Sequence, residues 1–462
     1  VEMGLVKMYR LTGNKKYLET AKDFLEERGR FKGYDATSKD PWKNGSYWQD
    51  HVPVTEQKEA VGHAVRAGYL YAAMADVAAL TNDEKMLRAV DSIWQNVVRK
   101  KIYVQGGIGA VGDGERFGDN YELPNRTAYN ETCAAIANVY WNHRMFLLHG
   151  DAKYIDVLEK TLYNGLISGV GMDGNSFFYT NAMEITAAFK HSDMESGRSG
   201  WFTCSCCPTN ITRLIPSIPG YVYATRGSNI YVNLFVSGTS TINVDDRAVE
   251  IEQQNDYPWN GALNFTVRPS RPQKFAMLVR IPGWSRGEAI PSDLYSFTDG
   301  NNQGARIVVN GKSFPFQISN GYAVIDRSWR KGDKVEVNLP MNIQRVVANN
   351  KLIDDRQKVA LQRGPLIYCA EWKDNDGKVS NLLVPESVNF TTQFVPDLLN
   401  GVQVIKGEVP VIEVQSPTRV STVSKTFMAI PYYAWAHRGP GEMVVWFPTM
   451  VKDLTIIAEE QK

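Results

Sequence analysis

No apolar run in this 462-residue chain approaches the length that crosses a bilayer, so a membrane-spanning helix is not expected. Surplus charge is missing as well: 51 Lys+Arg stand against 50 Asp+Glu, a net charge of +1. A partner such as nucleic acid or another acidic polymer calls for a basic excess that this composition lacks. Cysteine is sparse, at five residues, and is not spread as a disulfide framework: Cys204, Cys206 and Cys207 crowd one short stretch. Such crowding suits a metal or a reactive thiol better than pairing. No initiating methionine or signal-peptide pattern is visible, which excludes nothing when the true N-terminus lies upstream. The chain opens at Val1 inside a helical pattern, and a further N-terminal segment is expected upstream. The compartment stays open. Metal-protected thiols are compatible with a periplasmic or extracellular location, and a cytoplasmic one is possible.

What is present is length enough for several domains, with 11 Trp and 22 Tyr, which sugar-binding surfaces and aromatic cores both use. A repeat organises the first part. Leu11-Thr-Gly-Asn-Lys-Lys-Tyr-Leu18 is echoed by Leu80-Thr-Asn-Asp-Glu-Lys-Met-Leu87 and by Leu148-His-Gly-Asp-Ala-Lys-Tyr-Ile155, each between stretches of helical periodicity. Each echo reads as the turn of an αα-hairpin, with Gly13, Asn82 and Gly150 near helix C-caps and Asn14, Asp83 and Asp151 as N-caps. Three hairpins predict part of an α/α toroid or an open helical array. From about Tyr223 the pattern turns to strands, with Asn310-Gly311 as a hairpin turn. The expected division is a helical unit over 1–222 and β-sandwiches over 223–350 and 351–462.

Chemistry concentrates in three places. In Trp201-Phe-Thr-Cys-Ser-Cys-Cys-Pro-Thr-Asn210, Pro208 suits a first helical turn, so Cys206 and Cys207 lie at a helix N-terminus that favours a thiolate. The competing reading is a buried thiol cluster without chemistry. Asn130-Glu-Thr-Cys133 opens a second helix. Glu131 and Cys133 face one ligand only if Glu131 lies at or before the cap; with Cys206 and Cys207 they then form a three-thiolate, one-carboxylate zinc set. The glycine-rich run 106–118 mimics a dinucleotide fingerprint, but no βαβ unit surrounds it. It reads instead as an acid-bearing loop after a strand-like Lys101–Gln105, with Glu115, Asp119 and Glu122 as candidate proton donors. His143, His149, His191 and His437 read as ordinary structural histidines, and Cys369 as a buried strand thiol.

Glu56-Gln-Lys-Glu-Ala-Val-Gly-His-Ala-Val-Arg66, Tyr121-Glu-Leu-Pro-Asn-Arg-Thr-Ala-Tyr-Asn-Glu-Thr-Cys133, Cys204-Ser-Cys-Cys-Pro208 and Pro431-Tyr-Tyr-Ala-Trp-Ala-His-Arg-Gly-Pro440 together resemble glycoside hydrolase family 127, the β-L-arabinofuranosidase family. The resemblance spans nearly the whole chain. It implies an (α/α)6 barrel, here without its N-terminal part, followed by β-sandwich domains, and a retaining mechanism through a glycosyl–cysteine intermediate. By position it implies Cys206 as nucleophile, Glu115 as acid/base, and Zn2+ held by Glu131, Cys133, Cys206 and Cys207. His63 and Tyr179 match sugar-contacting positions, and His51 is a further candidate. For Glu115 to act as an acid, partial burial is expected to raise its pKa. The implied partner is an oligosaccharide or glycan, with a homodimer possible and neither nucleic acid nor membrane expected. The extra Cys204 leaves open which two of the three clustered thiols bind metal. Competing functions are a sugar epimerase or lyase with structural zinc, and a non-catalytic glycan-binding protein.

Overall fold

A computed structural model describes the chain apart from residues 187–196, 299–303, 417–418 and 452–462. Its first part is helical: α1 (Glu2–Thr12), α2 (Lys15–Glu26), α3 (Ala64–Thr81), α4 (Glu84–Lys100), α5 (Thr132–His149), α6 (Ala152–Lys160) and α7 (Cys206–Leu214). The three repeated turns join α1 to α2, α3 to α4 and α5 to α6. Gly13, Asn82 and Gly150 take left-handed C-cap conformations, with φ of 69°, 54° and 71°. Asn14, Asp83 and Asp151 accept backbone N–H bonds from Lys16, from Lys85 and Met86, and from Lys153. These caps satisfy groups that a helix end otherwise leaves orphaned.

α3 and α5 form the inner layer. Small residues let them approach closely: a Cβ on Gly68 would lie 2.7 Å from the Ala137 Cβ. α5 is buried from Thr132 to Phe146, whereas α4 buries one stripe, including Met86, Val90, Ile93, Trp94 and Val97. Among the described residues no helix is long and apolar enough to cross a membrane.

The remainder is built of β-sheets. A five-stranded sheet runs in the order Ile318–Ser319, Tyr322–Trp329, Gln273–Arg280, Asn229–Val232, Tyr223–Arg226. A six-stranded sheet runs Lys312–Ser313, Arg306–Val309, Asp333–Asn338, Ala262–Pro269, Arg247–Asn255, Gly238–Val244. Alternating apolar residues of both, among them Ile230, Met277 and Ile325 facing Ile251, Phe265 and Val335, fill one shared core. The Asn310-Gly311 turn forms as expected, with φ of 49° and 76°. The C-terminal part is a ten-stranded sheet whose central path leads from Thr391–Val395 through the long hairpin Val402–Ser416 and Arg419–Pro431 to Leu366–Glu371 and Lys358–Arg363.

The β-region also grips the helical one. Glu184–Ile185 pairs with Met443–Val444, and the Tyr432 hydroxyl donates to the Ala182 carbonyl at 2.7 Å. The Trp435 ring stacks on Phe178 at 4.9 Å. Arg198 Nη1 donates to the Trp435 carbonyl at 2.8 Å, and His437 Nε2 accepts from the Met172 N–H at 3.0 Å. The motif at 431–440 thus holds the segment from Met172 to Ala182 that carries Tyr179.

Candidate active site

The N-termini of α5 and α7 meet. Glu131 is the N-cap of α5, with φ −59° and ψ 137°, which turns its carboxylate toward the thiol of Cys133 in the first turn. α7 begins at Cys206, with Cys207 next. The Sγ atoms of Cys133 and Cys207 lie 3.5 Å apart, and those of Cys206 and Cys207 3.8 Å. Glu131 Oε1 lies 3.6 Å from Cys206 Sγ and 3.7 Å from Cys207 Sγ. One ligand atom from each of the four residues falls within 4.8 Å of all the others. Cys133, Cys207 and Glu131 are buried and Cys206 is half-buried, so Cys206 is the member open to a reactant.

The four acidic groups cannot all be charged in such a space. Hydrogen bonds from the thiols of Cys133 and Cys207 hold Cys206 far below the usual thiol range, against the opposing effect of burial. Hydrogen bonding to the Cys206 thiolate pushes Cys133 up; for Cys207 the bonding to Cys133 and Cys206 acts the same way. Burial, then the charges of Glu115 and Cys206, pushes Glu131 well above the carboxylate range. Glu131 Oε2 is buried without a hydrogen-bond partner.

That pattern fits a cation. An ion bound tetrahedrally at about 2.3 Å from sulfur spaces its ligands by about 3.8 Å, close to the separations here. A donor set of three thiols and one carboxylate selects a thiophilic metal such as zinc over magnesium or calcium.

Glu115 lies beside this cluster, at the tip of a loop whose backbone turns through left-handed Gly114 and Glu115, with φ of 70° and 52°. The Ala64 N–H donates to the Glu115 carbonyl at 2.9 Å, fixing the loop against the start of α3. His63 Nε2 lies 2.9 Å from Glu115 Oε2. The hydroxyls of Tyr129 and Tyr179 both donate to Oε1 at 3.0 Å. Tyr179 also meets Cys206 Sγ at 3.3 Å, so one phenol bridges the thiol and the carboxylate. Burial does not raise Glu115 as expected. The His63 bond, helped by those from Tyr179 and Tyr129, outweighs burial and lowers its pKa.

Glu131, Cys133, Cys206, Cys207, Glu115, His63 and Tyr179 therefore share one site. Cys204 is exposed at its edge, and its thiol is among the donors toward Cys206. Asp119 and Glu122 do not join it: Glu122 Oε2 accepts the Asp119 N–H at 2.6 Å, and both charges act on buried Lys101. His51 lies in the loop between two 3-10 turns, with Asp50 and Glu59 as its charged neighbours. His143 stacks on Tyr221 at 3.9 Å and His149 bonds Asp91 at 2.8 Å. Cys369 is buried in a strand, and His191 lies outside the described residues. Tyr129 is the residue that sequence reasoning passed over; its one signal is its place two positions before Glu131.

Comparison with known proteins agrees along the chain. The family models described as "Beta-L-arabinofuranosidase, GH127 catalytic domain", "Beta-L-arabinofuranosidase, GH127 middle domain" and "Glycoside hydrolase family 127 C-terminal domain" match residues 1–220, 229–341 and 343–448. A curated relative, the non-reducing end beta-L-arabinofuranosidase of Bifidobacterium longum subsp. longum, is 34% identical over 484 residues, covering 96% of this chain and 70% of its own length. A solved GH127 beta-arabinofuranosidase is 48% identical, with a TM-score of 0.91, over 98% of this chain and 69% of that one. A GH127 beta-L-arabinofuranosidase from Geobacillus stearothermophilus T6 is 40% identical, with a TM-score of 0.88, over 97% and 71%.

Proposed function

The chain belongs to glycoside hydrolase family 127, and from that premise we propose a retaining, exo-acting β-L-arabinofuranosidase with Cys206 as nucleophile and Glu115 as acid/base. The observation that carries this reading is the Tyr179 hydroxyl, which touches Cys206 Sγ at 3.3 Å and Glu115 Oε1 at 3.0 Å. It sets a nucleophile and a proton donor one hydroxyl apart, the close spacing that retaining displacement uses. By the same reading the three hairpins belong to an (α/α)6 barrel, with units at 1–222, 223–350 and 351–462.

Glu131, Cys133, Cys206 and Cys207 would hold zinc, which when bound keeps its thiol ligands deprotonated at neutral pH. Cys206 sulfur forms a bond to the anomeric carbon as the bond to the leaving oxygen breaks, and Glu115 gives that oxygen its proton. Glu115 then takes a proton from water, the water oxygen bonds to the anomeric carbon, and sulfur leaves as thiolate. Tyr179 keeps the two groups in register through both steps, and His63 orients the Glu115 carboxyl and contacts the sugar.

The test is turnover of an aryl β-L-arabinofuranoside. Removing metal with a strong chelator is expected to abolish it and zinc to restore it. Cys206→Ser is expected to lower kcat by at least about 10³-fold with the fold retained. Undiminished turnover in the metal-free protein or in Cys206→Ser contradicts the proposal.

A further inference from the structure

Beyond Glu115 stands an aromatic tier that the mechanism above does not use. Trp42 stacks on Tyr47, with centroids 4.7 Å apart and planes at 23°. Tyr47 meets Trp48 edge-on at 4.6 Å. The exposed Arg66 lays its guanidinium over Tyr47 at 5.5 Å and over Trp48 at 4.6 Å. The tier is fastened to the site: the Tyr47 ring lies 6.0 Å from that of His63. A Cβ on Gly114, the residue before Glu115, would lie 2.7 Å from Trp42 and 2.9 Å from Tyr47. Yet Trp42 and Trp48 remain 38% and 39% exposed. Two open indoles and a capped guanidinium, clustered beside a reactive centre, present flat apolar faces rimmed by hydrogen-bond donors.

The stereochemistry of displacement gives this tier a direction. The attacking and departing atoms lie on opposite sides of the anomeric carbon. With Cys206 on one side, the departing oxygen is on the other, against Glu115, and whatever is attached to it extends away from the thiols. The contacts of the tier run to Gly114 and His63, on the Glu115 side. The aromatics on the thiol side are different ones: Phe202, edge-on to Tyr179 at 5.6 Å, and Trp201, 65% exposed.

We infer that Trp42, Tyr47, Trp48 and Arg66 form the leaving-group platform, which binds the sugar residues to which the cleaved furanose is joined. The C–H face of a sugar ring lies on the Trp42 indole, and Arg66 donates to ring hydroxyls. The inference rests on the assignment of Cys206 and Glu115. It makes the protein selective for furanosides of sugars over those of small alcohols, because a methyl group does not reach Trp42.

The experiment compares kcat/KM for a β-L-arabinofuranosyl disaccharide with that for the methyl β-L-arabinofuranoside. Trp42→Ala is expected to lower the disaccharide-to-methyl ratio roughly tenfold, chiefly through KM, the equivalent of one lost ring contact. Trp201→Ala is expected to leave the ratio in place. An equal fall on both substrates makes the tier a mere support for Gly114, and a ratio that moves with Trp201→Ala instead puts the leaving group on the thiol side; either overturns the inference. A titration of tryptophan fluorescence with an arabino-oligosaccharide needs no turnover. Weaker binding in Trp42→Ala supports the platform even if the wild type cleaves neither furanoside, an outcome that sinks the catalytic reading alone. Equal affinity in the two proteins overturns the platform whatever the turnover.

Discussion

Tyr129 donates to the same Glu115 oxygen as Tyr179, and this second phenol helps set the charge of the carboxyl. Hydrogen bonds to a carboxylate favour its charged form. A proton donor acts only while protonated, so kcat/KM falls as pH rises through the Glu115 pKa, which the three donors depress. Tyr129→Phe removes one donor and raises that pKa. The basic limb of the kcat/KM profile is expected to move to higher pH; a limb that stays or moves the other way contradicts the role given to Glu115. At this scale the thiols and Glu131 were legible, because clustered cysteines and a carboxylate at a helix start each carry a local physical signal. Tyr129 was not. A tyrosine near a helix start is ordinary core material, and no spacing rule ties it to a carboxyl fourteen residues earlier.

Among elements, the helix turns were legible because capping chemistry is local: Asn14, Asp83 and Asp151 do what their side chains do in any helix start. The stretch Lys101–Gln105, strand-like in sequence, forms only an isolated bridge between Ile102 and Ile108. Tertiary contacts prevail there: Lys101 Nζ is drawn inward to the carbonyls of Ala60 and Gly118, each at 2.9 Å. The loop that follows is clasped from the β-region, where Asp354 accepts the Asn125 N–H at 3.0 Å and Asp355 accepts the Asn125 amide at 2.7 Å. Nothing local in sequence announces that clasp. Burial, opposed by Asn125 and Lys358, pushes the Asp355 carboxyl up to about 7. A carboxyl raised above its unfolded value stabilises the fold while both states are protonated, and that contribution drains away as pH climbs toward 7. Asp355→Asn keeps an acceptor for Asn125 and cannot ionise. Its Tm is expected to fall less than that of the wild type between pH 5 and pH 8; an equal fall in both contradicts the assignment.

For the whole molecule, the order of helices first and sheets after was readable from the change of period, since a stripe and an alternation are one-dimensional patterns. Which surfaces meet was not readable. Arg280, fully buried, joins the sheet to α6 through Asp156 Oδ1 at 2.7 Å and through Glu159, and its Nε donates to the Asn233 carbonyl at 2.7 Å. The Tyr257 hydroxyl completes the group on Glu159 at 2.7 Å. Arg280→Met leaves the buried Glu159 carboxylate without its cation, while Asp156 keeps Arg286 at 3.2 Å, and is expected to cost about 3–5 kcal/mol in urea unfolding. A cost below about 1 kcal/mol means that the interface does not depend on this ion group.

Proposed catalysis in this molecule rests on sulfur chemistry at the start of α7. The direct measurement is intact-mass and peptide-mapping spectrometry after incubation of the zinc-loaded protein with a β-L-arabinofuranose derivative bearing a haloacetamide at the anomeric position. One adduct per chain, on Cys206, with parallel loss of turnover is the predicted result. An adduct confined to exposed Cys204, with turnover intact, contradicts it.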